Sequence, residues 1–150
     1  MADTGLTAAE LRDLGDIAGT MVPASPELGV PGADDPAILA DIAKSIGRDL
    51  ALMREALAAI KAKAAGGFAK LDRGQREALI NAWYAVGGGP AVALGRAILG
   101  SYYRDDRVLR AVGHEARAPF PKGYTVEQGD WSLLEVVKKR PAFWRDDRAR

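Results

Sequence analysis

Seven apolar side chains, Ile38, Ile42, Ile46, Leu50, Met53, Leu57 and Ile60, recur every three or four positions. That spacing gathers them on one face of an α-helix and scatters them over both faces of a strand. A stripe of this length must be covered by other secondary structure. No stretch of the chain sustains an alternation of apolar and polar residues, so the cover is read as further helices and no sheet is expected. The fold class read from the sequence is therefore all-α: a compact bundle of about four to five helices with a long irregular C-terminal extension.

The helix ends are written in caps. Thr7 followed by Glu10 forms a capping box, and Leu11, Leu14, Ala18 and Met21 follow at helical spacing, giving a helix over 8–21. Pro23, Pro26, Gly29, Pro31 and Gly32 then mark a stiff loop. Asp35 and Pro36 restart the helical pattern as cap and first turn, and one long helix is expected to run to about residue 65, bent at Gly47. Gly66 and Gly67 end it. Asp72 and Gln75 repeat the capping pattern before a face of Leu79, Ile80, Trp83 and Val86. Gly87, Gly88 and Gly89 interrupt, and Pro90 opens a helix with Val92, Leu94, Ala97, Ile98 and Tyr102 as candidate core. Asp105 or Asp106 caps a short helix closing at Gly113. Beyond it, only residues 132–140, capped by Asp130, read as helical. The domain division is accordingly a helical body over 1–113 and a docking tail rich in aromatics and proline over 114–150.

Several kinds of chemistry are excluded by what is missing. The chain has 150 residues and no cysteine, which removes disulfides, thiolate metal sites and a cysteine nucleophile. His114 is the sole histidine, and no serine sits in an elbow-like motif, so no nucleophilic triad can be assembled. The acidic pairs Asp34-Asp35, Asp105-Asp106 and Asp146-Asp147 lack the spacing of a calcium loop and read as caps and solvated acids. The triple glycine before Pro90 follows no strand and precedes no Lys-Ser or Lys-Thr, so it is neither a phosphate loop nor a dinucleotide fingerprint. The helix after it carries only Arg96 as a charged residue, and net charge is +1, so nucleic acid is not expected as a partner. No run of about 18 apolar residues can span a bilayer. The first residues carry neither a basic nor an apolar leader segment. A cytoplasmic chain is expected as given, or a periplasmic one if a twin-arginine signal precedes it in a longer form. Residues 1–50 hold three basic against nine acidic side chains, an imbalance that suits a mixed surface able to steer a partner.

The aromatic residues are placed unevenly. None precedes Phe68, and Phe120, Tyr124, Trp131, Phe143 and Trp144 all follow Gly113 among prolines and glycines. Disordered tails are normally poor in aromatics, and burying one such ring contributes about 1.5–3 kcal/mol. These rings call for a cover. Either the tail wraps back over its own helices, or it lies on another protein, where Trp, Tyr, Phe and Arg are favoured anchors.

Tyr102-Tyr103 with Asp105-Asp106-Arg107, then Pro119-Phe120-Pro121, then Gly129-Asp130-Trp131-Ser132-Leu133-Leu134 form a recognisable series. Together with the proline-rich loop and Asp-Pro-capped helix of 21–43, they resemble the gluconate 2-dehydrogenase subunit 3 family, small subunits encoded beside flavin-dependent dehydrogenases of the glucose–methanol–choline type. The likeness extends over most of residues 10–147. It implies a non-catalytic accessory subunit that helps a large FAD-bearing subunit fold, stay soluble or be exported. No cofactor is then expected in this chain; FAD belongs to the partner, which oxidises sugars or other alcohols, and the assembly is a hetero-oligomer. Many such subunits carry a twin-arginine signal, which is not found here. Candidate interface residues are Tyr102, Tyr103, Arg107, Arg117, Phe120, Tyr124, Trp131 and Trp144, the arginines offering charge-assisted bonds to partner carboxylates or carbonyls. Two other classes remain: a free-standing helical enzyme or ligand-binding protein, and a general chaperone or adaptor with several clients.

Overall fold

The computed structural model describes residues 5–64, 67–118, 120, 122–123, 125–141 and 143. Among them are seven α-helices and no strand, apart from an isolated antiparallel bridge between Ser25 and Val30. The all-α class holds, and the helix count exceeds the four to five read from the sequence. The chain divides into two units, Met1–Ala116 and Arg117–Arg150.

In the first unit, α1 (Ala8–Met21) begins at its capping box: Thr7 Oγ1 accepts from the Glu10 N–H, and Glu10 Oε2 accepts from the Thr7 N–H. α2 (Pro36–Ser45) begins at Asp35, whose carboxylate accepts from the Ala37 and Ile38 N–H groups. The long helix expected over 36–65 is two helices. α2 stops at Ser45, a 3-10 turn occupies Gly47–Asp49, and α3 (Leu50–Lys63) starts afresh. Gly47 has φ +46, which no α-helix accommodates. The apolar stripe survives this break: Ile38, Ile42, Ile46, Met53, Leu57 and Ile60 are all buried, and Leu50 is half-buried.

α4 (Arg73–Val86) opens on the Asp72–Gln75 capping box. A 3-10 turn over Phe68–Lys70 leads into it, fastened by Arg76, which donates to the Leu71 and Ala69 carbonyls and stands over the Phe68 ring. α5 (Gly89–Tyr102) follows the Gly87-Gly88 turn, and α6 (Asp106–Ala111) is capped by Asp105. α3 lies in contact with α1, α4 and α5; α5 also packs on α2, and α1 on α2 and α4. Leu14, Ile17, Ile38, Ile42, Met53, Ile60, Leu94, Ile98 and Val108 are fully enclosed between them.

Two expected core residues face solvent instead. Val92 is exposed on α5, while Ala91, Ala93 and Leu94 around it are buried. Val86 ends α4 beside the glycine turn and extends past its neighbours. Conversely, Ile17, Ala33, Phe68 and Val108 belong to the core without having been singled out by spacing.

The second unit holds a 3-10 turn over Trp131–Leu134 running into α7 (Glu135–Lys138), where residues 132–140 were expected to be helical. Asp130 caps it, accepting from the Ser132 N–H and hydroxyl.

Candidate functional site

The series that runs from α5 into α6 is where the candidate residues begin. Tyr102 and Tyr103 meet edge to face, with ring centroids 5.3 Å apart. Tyr102 is the last residue of α5 and Tyr103 its C-cap, and the two rings differ in burial. Tyr102 is buried, and burial raises its phenol pKa, with Tyr103 and Asp105 adding to the effect. Tyr102 is therefore a core residue and not a surface one; Tyr103 is the ring of the pair that solvent reaches.

Arg107, two residues past the cap of α6, binds two carboxylates at once. Its Nη1 and Nη2 donate to Asp35 Oδ2 and Oδ1 at 3.0 and 2.9 Å. Its Nε and Nη2 donate to Asp105 Oδ1 and Oδ2, both at 2.9 Å. Both acceptors are also helix caps, so one planar fork fixes the start of α6 to the start of α2. The Arg107 bond is the largest influence holding Asp35 down at about 2, against an ordinary 3.8, with the N–H groups of Ala37 and Ile38 helping. Asp105 is lowered for the same first reason. The bonding expected between Arg107 and a partner is thus made within the chain.

In the second unit, Arg117 donates from Nη1 to the Ala118 carbonyl and from Nη2 to the Gly123 carbonyl, bracing its own loop. Phe120 is 86% exposed, Trp131 67% and Phe143 92%. Leu133 and Val136 of the same unit are exposed as well. Trp131 Nε1 donates to Gln128 Oε1 at 3.2 Å, so the polar edge of the indole is satisfied while the ring stays open to solvent. Tyr124 and Trp144 lie outside the described residues.

Among the described residues no group of three or more His, Asp or Glu side chains could hold a metal ion. No described helix is long and apolar enough to cross a membrane. His114 is exposed just after α6. The feature that sequence reading missed is a cleft in the first unit where the α2–α3 joint faces α5, lined by Arg48, Arg96 and Arg104. Its one sequence signal is the four-residue spacing of Arg96 and Gly100, which puts both on one side of α5, with Arg104 following just past the helix end.

No protein-family model matches the chain, and no curated protein or solved structure matches it.

Proposed function

We propose that this chain is a non-catalytic helical subunit whose second unit docks on a large FAD-dependent dehydrogenase of the glucose–methanol–choline type, an oxidant of sugars or other alcohols. The observation that carries the reading is the set of large apolar side chains at Phe120, Trp131, Leu133, Val136 and Phe143, all left open to solvent within one short unit. Single exposed apolar residues are commonplace, but a concentration of them with two Phe and a Trp is the composition of an interface core. The resemblance of 101–124 and 129–147 to the small subunits of such dehydrogenases supplies the kind of partner. Docking would act by mass action: a subunit that binds only the folded large chain stabilises that folded state. FAD, substrate and redox chemistry would all reside in the partner.

The test is purification of the full chain from its native source at native abundance. One stoichiometric, yellow, FAD-containing companion of several hundred residues is the expected result. Trp131→Ala should weaken that complex by on the order of 2 kcal/mol, about thirtyfold in Kd. A chain that elutes alone, or with many unrelated clients in small amounts, would overturn the reading.

A further inference from the structure

A cleft lies beside the break between α2 and α3. The cleft measures about 320 Å³, at the small end of the roughly 300–1,000 Å³ of ligand pockets. One wall is the joint itself, residues 45–49, and the other is the C-terminal half of α5 from Arg96 to Ser101 with Arg104 just beyond the helix end. Three arginines line it against one aspartate, Asp49. Its floor is Ile46 and Ser101, both buried at 2% exposure.

The bonding of these arginines differs from that of Arg107, whose fork is filled by two carboxylates. Arg96 is tied to Asp49 through Nη2 alone. Arg104 is tied through Nη2 to Asp41 at 2.7 Å and to the Ser101 hydroxyl at 3.2 Å. The Nε and Nη1 groups of both make no bond to the chain among the described residues, and Arg48 makes no ion pair there. Each carboxylate engages one Nη2 and leaves the other donors of its guanidinium unused. Ser101 Oγ lies 3.4 Å from Ser45 Oγ, so two hydroxyls also line the cleft. Guanidinium groups held this way match the oxygens of a carboxylate or a phosphate.

We propose that this cleft binds a small oxyanion-bearing molecule, with its carboxylate or phosphate between Arg48, Arg96 and Arg104 and a short body over Ile46 and Ala97. The site belongs wholly to the first unit and does not rest on the docking role proposed above. Gly100 provides a way to close it. A Cβ at Gly100 would meet nothing within 4 Å, so a larger side chain there enters the cleft without colliding with the fold.

The experiment titrates the full chain with inorganic phosphate and, separately, with succinate, at matched ionic strength set by chloride, following backbone amide shifts. Saturable binding with Kd below about 10 mM for at least one probe is expected, with the largest shifts at Gly47, Arg48 and Ser101. The tighter probe identifies the head group. Arg48→Gln with Arg96→Gln should weaken it at least about tenfold. Gly100→Leu should block it while leaving the helical circular dichroism unchanged. Shifts that grow linearly with both probes, or a double variant that binds as well as wild type, would overturn the proposal. Because no partner is present in these measurements, either outcome leaves the docking test independent.

Discussion

Asp35 serves two structures with one carboxylate, and the two can be separated by substitution. Its Oδ1 accepts from the first N–H groups of α2, and both oxygens receive Arg107. Asp35→Ala removes the cap and the ion pair together, and loss of such a cap alone costs about 1 kcal/mol. Asp35→Asn keeps a capping oxygen but loses the charge and one of the two oxygens that receive Arg107, so it should be the milder change. The acid dependence follows from the direction of the shift. A carboxylate held at about 2 in the folded chain, below its ordinary 3.8, adds stability that is fully present above 3.8. That stability is lost as pH falls through about 2, because the folded chain must then take up the proton it had excluded. In urea melts, the gap between wild type and Asp35→Asn should be widest near neutral pH and close between 3.8 and about 2. A gap that stays constant across that window would mean that Arg107 contributes nothing through Asp35.

At the scale of elements, the joint between α2 and α3 depends on one backbone conformation. Gly47 has φ +46 and open space around its missing Cβ, so a side chain would fit but the conformation would be strained. Gly47→Ala should cost about 1 kcal/mol, a fall in Tm of roughly 4 °C for a domain of this size, read by thermal melting. An unchanged Tm would show that the joint adapts, and that the cleft beside it is less fixed than its geometry implies. The same joint marks where the sequence ceases to be legible. The start of α1 and the start of α4 coincide with their readings because each carries a side-chain cap that acts within three residues. The restart at α3 has no side-chain cap, and the apolar stripe runs through it without losing phase, so periodicity alone reads one helix where there are two. Periodicity also misassigned Val92, which is exposed although Ala91, Ala93 and Leu94 around it are buried. The Arg107 clasp and the arginine cleft were harder still. Arg107 meets Asp35 across 72 positions and Arg104 meets Asp41 across 63, and no local pattern announces a pairing at such separations. Tyr102 and Tyr103 were legible as a pair but not as one inward and one outward ring.

At the scale of the whole molecule, burial among the described residues is confined to the first unit. Every buried apolar residue among those described lies between Leu14 and Val108, and the described residues of the second unit include no buried side chain. A core complete in itself is what a unit needs to fold alone. A chain ending at residue 116 should therefore unfold cooperatively, with stability close to that of the full chain, within the roughly 0.5 kcal/mol that surface changes usually produce. The aromatic residues of the second unit should reveal themselves differently. With Phe120, Trp131 and Phe143 open to water, the isolated full chain should bind an apolar dye and self-associate more than the shortened one. The proposed docking further predicts that the shortened chain does not co-purify with a flavoprotein. The two readouts discriminate between the covers considered for these rings. If the rings seal the chain's own helices, removing residues 117–150 exposes the surface they covered, and the shortened chain becomes the less stable and the more dye-binding of the two. If they serve a foreign surface, the shortened chain becomes better behaved and solitary, because what was removed contributed to the complex rather than to the fold.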